Sequence, residues 1–441
     1  MKLAILGAGV SGLALARQLM LRGYSLSDLH LFEAHSVAGG LCRSKTIDGF
    51  TYDISGGHIL YSKDGEVMDW MKQEAGGEEA FCKRDRNTKI RFEDRWVQYP
   101  FENGLGDLPD GPKFDCLQGY VQAWHLREKE HSEAPPDFAA WVRWRFGDGI
   151  ANHFMDPYNE KVWKRPLERI SSGWVAGRVP DAPVEDVLRA AIGIRTEGYK
   201  HQAIFYYPRK GGFQALTDGM VDPLKSQIRL NTRVESVTRH GDGWRVNGED
   251  FDHVVNTIAL NELPKFVEGI PEHVAEAMRG LAFNSIVTYL VALDRPEHPN
   301  LSWVYLPQRK QGPVNRLTYM SNYSSGNAPE GKTSFLLEVT FEGGTPTPGK
   351  ELEEEALEGV VRAGLMERNE ILFTDRSVCK YAYIVYDHEL VKRREIANSW
   401  CENNALLPLG RFGHYDYFNS DQCVIAARDT AEKLARRATA G

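Results

Sequence analysis

A glycine-rich segment at the start of the chain has the residue types and spacing of a dinucleotide-binding turn. Gly7, Gly9 and Gly12 form the pattern G-x-G-x-x-G directly after the apolar run Leu3–Leu6. The first glycine permits the tight turn, the second lets a pyrophosphate approach the backbone, and the third lets the next helix pack on the strand. The start of that helix would offer unpaired N–H groups and the positive end of its dipole to the phosphates.

An acidic residue follows at the distance that nucleotide binding requires. Glu33 ends the second predicted strand, 21 residues after Gly12, where a carboxylate can accept hydrogen bonds from ribose hydroxyls. The glycine triplet alone would be weak evidence, but strand, turn, helix and acidic residue occur here in the right order. The segment therefore predicts a dinucleotide site.

A second stretch, YPFENGLGDLP at Tyr99–Pro109, combines residues that suit a flat, polar ligand. Two aromatic rings, Tyr99 and Phe101, flank a proline that fixes the backbone between them. Glu102 follows directly, and the chain then passes through two glycines. A platform for a flat ligand is one interpretation, and a turn that merely leaves a strand is the other.

Composition limits the classes of protein to which the chain can belong. The 441 residues, 42% apolar and 26% charged, are typical of a soluble protein with two or three packed units. A net charge of −8 argues against a nucleic-acid binder that neutralises phosphates. The six cysteines form no C-x-x-C pair, which favours reduced thiols, and we predict no metal site.

The apolar start of the chain is interrupted by glycines where a signal peptide would need a continuous apolar helix. No stretch reaches the roughly 18 apolar residues of a spanning helix. We therefore expect a cytoplasmic protein without membrane insertion.

The residues after Glu33 favour FAD over NAD. The segment EAHSVAGGLCRS places Gly39 and Gly40 just past Glu33, with Arg43 close behind. It resembles the second glycine signature of a large flavoprotein group that includes amine oxidases, protoporphyrinogen oxidases and UDP-galactopyranose mutases. A plain loop is the alternative interpretation of the two glycines.

Five separated segments resemble UDP-galactopyranose mutases of the eukaryotic type, in that family's order along the chain. They are GGHILYS (56–62), WVQYPFENGL (96–105), FMDPYNEKVWKRP (154–166), NRLTYMSNYS (315–324) and GRFGHYDYFNSDQ (410–422). Together with the glycine signatures they span nearly the whole chain.

The resemblance implies an isomerase, an intramolecular transferase that interconverts the pyranose and furanose forms of a nucleotide hexose. UDP-galactopyranose and UDP-galactofuranose are the expected pair. N5 of reduced FAD would act as the nucleophile and form a covalent flavin–sugar adduct, which divides a difficult exchange into easier steps. NAD(P)H would serve as the reductant for activation only. The sequence does not indicate whether the protein is a monomer or an oligomer.

The resemblance also assigns expected roles to residues, in three groups. The expected catalytic residues are His58, Arg178, Arg316 and Arg411. The expected cofactor-binding residues are Gly7, Gly9, Ser11, Gly12, Glu33, Gly39, Gly40, Leu41, Arg43, Gly56, Gly57, Val234 and Asp421, the last also a cap of the final helix. The expected substrate-binding residues are Tyr61, Tyr99, Phe101, Glu102, Asn159, Trp163, Gln202, Trp303, Tyr305, Tyr323, Tyr386, Tyr417 and Asn419.

The predicted fold class is α/β, with a Rossmann-type FAD-binding domain assembled from both chain ends, a helical insertion domain and an antiparallel β-sheet domain. Apolar residues at helical spacing indicate the insertion, and a Gly-Asp-Gly hairpin signal marks the return of strands after it. The predicted segments are 1–100 (FAD), 101–200 (helical, nucleotide-binding), 201–265 (FAD), 266–390 (sheet, substrate-binding) and 391–441 (FAD).

The chain departs from the mutase pattern at several positions. Tyr61 stands where phenylalanine is usual, Gln202 where asparagine is usual, and Glu102 where that family reads uracil with glutamine. The segment that contains Asn419 is also shorter than in the relatives.

The change at Glu102 affects which nucleobase is expected. A carboxylate can only accept hydrogen bonds, so it would repel the two carbonyls of uracil but could bind the adjacent N1–H and N2–H₂ donors of guanine. A GDP-sugar mutase is therefore an alternative, as is a solvated or arginine-paired Glu102. A less favoured alternative is an oxidase of the amine-oxidase type, whose pocket should be lined by apolar residues.

Overall fold

The computed structural model describes residues 1–176, 178, 179, 182–196 and 203–440. In this part of the chain the strands are β1 (Leu3–Leu6), β2 (Leu29–Phe32), β3 (Ser44–Ile47), β4 (Phe50–Asp53), β5 (Phe81–Asp85), β6 (Thr88–Phe92), β7 (Arg95–Gln98), β8 (Ile204–Pro208), β9 (Ile228–Arg229), β10 (Val237–His240), β11 (Gly243–Val246), β12 (Glu249–Phe251), β13 (His253–Asn256), β14 (Phe283–Leu293), β15 (Trp303–Tyr305), β16 (Arg316–Tyr319), β17 (Thr333–Glu342), β18 (Ile371–Ile384) and β19 (Leu406–Pro408). The α-helices are α1 (Val10–Leu21), α2 (Gly65–Glu74), α3 (Asp110–Glu130), α4 (Phe138–Ile150), α5 (Asp156–Trp163), α6 (Val184–Ala191), α7 (Ala215–Val221), α8 (Glu272–Arg279), α9 (Met320–Tyr323), α10 (Glu351–Arg362), α11 (Leu390–Asn403), α12 (Gly410–Gly413) and α13 (Ser420–Ala440).

A five-stranded parallel sheet carries the glycine-rich turn. Its strand order is β19-β13-β1-β2-β9, and every neighbouring pair is parallel. All four residues of β1 are buried, as expected for a strand covered on both faces. The sheet therefore combines strands from the start, the middle and the end of the chain, which confirms the predicted α/β fold with a Rossmann-type domain built from both ends.

The first and last long helices pack side by side. The Tyr24 hydroxyl, just beyond α1, donates to the backbone carbonyl of Leu434 in α13 over 3.2 Å. Helix α13 begins at Ser420, so Asp421 lies inside its first turn rather than at its cap. The prediction that Asp421 caps the helix was therefore wrong, because Asp421 is the second residue of the helix. A carboxylate there still lies near the positive end of the helix dipole.

A seven-stranded sheet forms the second large layer, in the order β18-β14-β17-β16-β15-β6-β7. It is antiparallel except for the parallel pair β15–β6. Alternate residues of β14 face opposite sides: Tyr289 and Val291 pack with α10, whereas Leu290 and Ala292 belong to the core shared with the dinucleotide-binding sheet. This alternation places one face of the sheet toward the glycine-rich turn.

Two edge strands of this sheet come from an unexpected part of the chain. β6 and β7 lie within the predicted FAD segment 1–100 but pair into the seven-stranded sheet. β5 instead pairs with β8, and the described helices α3 to α6 lie between these two strands in sequence. The five domain boundaries themselves stay predictions.

Local elements follow the sequence signals elsewhere. The predicted Gly-Asp-Gly hairpin joins β10 to β11, with His240 paired to Gly243. Among the described residues, no helix combines the length and apolar composition needed to cross a bilayer.

Candidate functional site

The glycine-rich turn lies at the carboxyl end of β1, where ligands bind in open parallel sheets. The Gly7 amide donates to the carbonyl of Phe32 at the end of β2 over 2.8 Å. Gly7 has φ +104°, and a Cβ there would lie 2.4 Å from Thr257 Oγ1, so only glycine fits this position. The start of α1 is thereby held beside the ends of two strands.

Glu33 lies next to this turn and is buried. Its Oε2 accepts the Ala8 amide over 3.1 Å, and its Oε1 accepts the His35 amide over 2.9 Å. Its backbone carbonyl also accepts the Thr232 amide over 2.8 Å, which brings the segment before Val234 to the same place. The prediction that Glu33 stands beside the turn therefore matches its position.

The second glycine segment and the C-terminal segment close the same region. Gly9 and Gly39 form a parallel backbone bridge, and the Gly39 amide donates to Ala8 over 2.8 Å. A Cβ on Gly410 would lie 2.1 Å from Ser11 Oγ, so the segment before Arg411 touches α1 directly. The Gly7–Gly12 turn, the start of α1, the Gly39–Gly40 segment and the segment at Gly410 thus form a concave site, which we call the cradle. It suits a dinucleotide such as FAD.

The Gly56–His58 turn rests on the seven-stranded sheet. Thr288 Oγ1 of β14 donates to the carbonyl of Ile54 over 2.9 Å, just before the turn. A Cβ on Gly57 would lie 2.8 Å from Thr318 Oγ1 of β16. The two glycines therefore allow the turn to lie flat against the strands.

Arg316 is held at the centre of this sheet by a buried carboxylate. It pairs across the strands with Tyr305 on one side and Glu338 on the other. Arg316 Nε and Nη2 donate to the two oxygens of Glu338 over 2.7 and 2.9 Å, and Nη2 also donates to the carbonyl of Gly57 over 3.2 Å. Glu338 is fully buried, whereas the Arg316 side chain is 25% exposed.

His58 is neutral at physiological pH. Burial, followed by the positive charge of Arg316, lowers its pKa to about 4, and Arg411 contributes in the same direction. Its ring stacks on Phe213 with centroids 5.1 Å apart. Within the described residues its buried Nδ1 has no hydrogen-bond partner, and it lies 3.9 Å from Asp53 Oδ2.

Asp53 anchors the other end of the turn. Its Oδ2 accepts the His58 amide over 3.2 Å, while Oδ1 accepts Ser44 Oγ, the Tyr207 hydroxyl and the Phe213 amide over 2.7 to 3.0 Å. Burial raises the pKa of Asp53 to about 6 in spite of these four donors.

Two further arginines surround one tyrosine ring. The guanidinium carbon of Arg411 lies 4.3 Å from the centroid of Tyr417, and that of Arg178 lies 4.8 Å from it. Arg178 also approaches Tyr386, at 5.7 Å. Arg411 Nη2 donates to the carbonyl of Ala382 in β18 over 3.1 Å. Tyr417 thus contacts both guanidinium groups through its ring.

The remaining predicted tyrosines lie around Arg316. Tyr305 contacts the rings of Tyr99 and Tyr158, with centroids 5.3 and 5.2 Å away. Tyr323 is buried between Phe205 and Tyr207.

Arg86 joins this aromatic group. Its guanidinium carbon lies 4.9 Å from the centroid of Tyr99 and 4.8 Å from that of Trp303. The structure therefore brings Tyr99, Trp303 and Tyr305 together.

Other predicted substrate residues are turned into the core. Phe101 is 1% exposed and stacks on Phe154, with centroids 4.6 Å apart, so that face is covered. Asn159 and Trp163 are buried and bond to each other, the indole Nε1 donating to the amide oxygen over 3.1 Å. Their assignment to the substrate stays a prediction.

Glu102 is also buried, at 2% exposure, and its Oε1 has no partner within the described part of the chain. Burial raises the pKa of its carboxyl to about 7, with the nearby Arg145 opposing the shift. A solvated carboxylate, one of the predicted alternatives, is therefore wrong for this conformation.

The last predicted positions lie at the margins. Asn419 is exposed and precedes α13, and Tyr61, Leu41 and Arg43 are partly buried. Arg43 Nε donates to the carbonyl of Gly40 over 3.0 Å. Gln202 lies outside the described residues.

Three side chains in the site were missed by the sequence reasoning: Asp53, Glu338 and Tyr383. Glu338 is a lone acid in the apolar strand FLLEVTF, and Asp53 stands three residues before Gly56, so both gave a signal that a buried partner was needed. Tyr383 lies near both the Arg316–Glu338 pair and the Arg411–Tyr417 pair, and all four of these side chains influence its pKa.

The arrangement suits a polyanionic, hydroxyl-rich ligand. Permanently charged guanidinium groups bind phosphate oxygens in pairs, and tyrosine hydroxyls both donate and accept. Because the arginines and the cradle meet at His58 and Arg411, a cofactor in the cradle and an anion at the arginines would be adjacent.

Comparisons with known proteins agree with this geometry. The chain is 39% identical over 298 residues to mitochondrial protoporphyrinogen oxidase from Nicotiana tabacum, covering 59% of this chain and 58% of that protein. The chain spans about three fifths of the length of the curated relatives that it matches.

Among solved structures, reduced UDP-galactopyranose mutase matches with a TM-score of 0.90 and 26% identity, over 99% of this chain and 94% of that one. Putrescine oxidase bound to putrescine matches over 99% of both chains with a TM-score of 0.65 and 16% identity, a likeness of fold alone. The family of flavin-containing amine oxidoreductases matches residues 10–365. With its glycine cradle, its parallel sheet and this match over most of its length, the chain belongs to the family of flavin-containing amine oxidoreductases.

Proposed function

We propose that this protein is an FAD-dependent nucleotide-sugar mutase that interconverts the pyranose and furanose forms of a nucleotide hexose, with UDP-galactopyranose as the first substrate to test. The observation that carries the proposal is the group of three arginines, Arg178, Arg316 and Arg411, beside the Gly56–His58 turn. An oxidase for amines or hydrophobic rings needs an apolar pocket instead. The close structural likeness to reduced UDP-galactopyranose mutase supports the same choice.

The cradle residues would hold FAD. Gly7, Gly9 and the start of α1 would receive the pyrophosphate, and Glu33 the ribose, since a buried carboxylate at that strand end accepts ribose hydroxyls. When bound in its reduced form, for which NAD(P)H is the expected donor, the flavin supplies the nucleophile toward the anomeric carbon of the sugar.

The protein's own task is to retain the diphosphate while the sugar is detached and reattached. Arg316 is aligned for this by Glu338, and Arg178 and Arg411 are aligned by carbonyls and by the Tyr417 ring. Fixed cations cost little reorganisation when charge develops on a leaving phosphate. The clamp therefore serves both binding and chemistry.

His58 would contribute as a neutral group. Its lowered pKa keeps a further positive charge away from Arg316 and Arg411. As a neutral imidazole it can either donate or accept a hydrogen bond at a given ring nitrogen, according to its tautomer.

The nucleobase is open between uracil and guanine. The carboxyl of Glu102 is buried and one of its oxygens lacks a donor. Guanine could supply two adjacent donors, N1–H and N2–H₂, whereas uracil offers a single N–H between two carbonyls that a carboxylate would repel. This observation favours the GDP-sugar alternative enough to test both nucleotides side by side.

One experiment tests the proposal. Protein reduced with dithionite would be incubated with UDP-galactopyranose, and separately with GDP-hexoses, and the products resolved by chromatography. We expect a furanose product from the reduced protein only, without net oxidation of the substrate.

Turnover by the oxidised protein, accompanied by hydrogen peroxide, would instead show an oxidase. A matched control is the same incubation with galactose 1-phosphate, which lacks the nucleoside and should not be converted at comparable concentration.

A further inference from the structure

A single buried carboxylate joins the arginine clamp to the glycine–histidine turn. Glu338 Oε1 accepts Arg316 Nε over 2.7 Å and the Gly57 amide over 3.1 Å. Its Oε2 accepts Arg316 Nη2 over 2.9 Å. The same Nη2 donates to the Gly57 carbonyl over 3.2 Å. Both the N–H and the C=O of Gly57 are therefore held by one ion pair.

This arrangement fixes the orientation of the two peptide groups around Gly57. A glycine can rotate its peptide planes at low steric cost, so the hydrogen bonds, and not the side chain, hold the turn in place. Breaking the Arg316–Gly57 bond would release one of the two ties, and only Glu338 would then hold the turn on this side. Asp53 holds the following residue through the His58 amide.

Arg316 keeps one edge available for a ligand. Its Nε and Nη2 face Glu338 and Gly57, while Nη1 makes no hydrogen bond to the described residues, and the side chain is 25% exposed. A phosphate oxygen approaching Nη1 competes for the same positive charge as Glu338. Occupancy of Arg316 must therefore change the free energy of the bonds that hold Gly57.

We propose that Glu338 is a positioning residue that couples anion binding at Arg316 to the conformation of the Gly56–His58 turn, and through it to the flavin. The proposal rests on the nucleotide-sugar function proposed above. Glu338 does not touch substrate: it acts by sharing its two oxygens between Arg316 and Gly57. A purely structural ion pair would stabilise the sheet without linking the two sites.

The coupling has a measurable consequence in both directions. If a diphosphate at Arg316 alters the turn beside the flavin, its affinity must differ between oxidised and reduced protein, and it must shift the flavin midpoint potential equally. For a two-electron couple, a tenfold difference in affinity corresponds to about 30 mV.

The test uses FAD-loaded full-length protein, with UDP as the probe and GDP in a parallel series. The dissociation constant is measured for the oxidised and the dithionite-reduced protein, and the midpoint potential is measured with and without the nucleotide. For wild-type protein we expect the two dissociation constants to differ about fivefold or more. For Glu338→Gln we expect the difference to fall to less than about twofold while the nucleotide still binds.

Two further variants make the outcome decisive. Glu342→Gln removes an exposed carboxylate from the same strand and should keep the wild-type ratio. Glu338→Asp keeps a negative charge for Arg316 but is one methylene shorter, so it should also lose the ratio while protecting the fold if the glutamine variant fails to load FAD.

An unchanged ratio in both Glu338 variants would overturn the coupling, and so would a wild-type ratio of one. If neither UDP nor GDP binds wild-type protein in either redox state, the proposed function itself fails. These outcomes are distinguishable because the first two require nucleotide binding to be observed.

Discussion

Burial of the Glu102 carboxyl group makes it sensitive to pH. Its folded pKa is raised to about 7 from a usual value of 4.5, so the folded protein binds more protons than the unfolded chain between these values. The wild-type protein therefore loses free energy of unfolding as pH rises from about 4.5 to 7, because the buried carboxyl must give up its proton. A variant with glutamine at this position has no such loss.

We predict that Glu102→Gln has little effect on stability at pH 4.5 but raises the free energy of unfolding by about 3–4 kcal/mol at pH 8, since each pKa unit is worth about 1.4 kcal/mol. Denaturant unfolding at the two pH values measures this. Glu128→Gln, an exposed change on α3, should show no such pH dependence, and equal behaviour of the two variants would contradict the burial of Glu102.

Arginine substitutions at the proposed clamp separate binding from folding. Arg178→Ala removes a partly exposed cation and should weaken UDP binding at least about tenfold without loss of FAD. Arg316→Ala should also weaken binding, but it leaves the fully buried Glu338 unpaired and should destabilise the protein by about 3 kcal/mol.

The double variant Arg316→Ala/Glu338→Gln should recover much of that stability and none of the binding. Calorimetric titration with UDP and thermal unfolding would measure the two effects. Recovery of binding in the double variant would show that Arg316 does not contact the nucleotide.

For individual residues, the sequence predicted which side chains lie at the site better than it predicted which side chains they contact. Gly7 and Glu33 were found because a local motif fixes their spacing. Glu338 was missed because its pairing with Arg316 depends on the register of β16 against β17, which no local pattern records. Phe101 was read as an open platform because the sequence does not show that Phe154, 53 residues later, covers its ring.

Among the elements, the contact between the C-terminal segment and α1 closes the cradle. Gly410 has φ +81°, and a Cβ there would lie 2.7 Å from Ser11 Cβ. Gly23, at the end of α1, has a similar φ of +87° but open space around it. The two glycines therefore separate backbone strain from steric conflict.

We predict that Gly23→Ala costs about 1–2 kcal/mol of stability through backbone strain. Gly410→Ala should cost about 2 kcal/mol more, because Ser11 and α1 must also shift. Flavin retention during gel filtration and thermal unfolding would measure the difference. Equal losses would show that the contact at Ser11 adapts freely.

Element types were more predictable than element pairings. Apolar residues at helical spacing indicated the inserted helices, and the parallel sheet followed from the strand–turn–helix order. The pairing of β6 with β15 could not be predicted, since it joins segments about 200 residues apart and neither strand carries a sequence signal for its neighbour.

The sign of the charge at the candidate site is opposite to the net charge of the chain. The chain carries a net charge of −8, yet Arg178 and Arg411 share the Tyr417 ring, and Arg316 and Arg411 both lie near Tyr383. Net charge argues against a surface that neutralises nucleic-acid phosphates, but it does not argue against a cationic pocket, where walls of low dielectric strengthen attraction to a diphosphate. Only the fold brings these arginines, 138 and 95 residues apart, together.

The two ends of the chain pack together in the dinucleotide-binding domain. β19 extends the parallel sheet next to β13, and α13 packs on α1, so residues from both ends of the chain support the dinucleotide cradle. Leu434 is fully buried at this helix contact, whereas Leu21 on α1 is 61% exposed. The stability of the cradle should depend on the first and not on the second.

We predict that Leu434→Ala destabilises the protein by about 3 kcal/mol, from lost burial and the cavity that remains, and that FAD dissociates more readily because α1 loses its support. Leu21→Ala removes the same atoms from an exposed site and should change stability by less than about 0.5 kcal/mol. Thermal unfolding and the fluorescence of released flavin measure the two effects. Loss of stability without faster flavin release would show that α13 supports the fold but not the cradle, because the start of α1 is then held by the sheet alone.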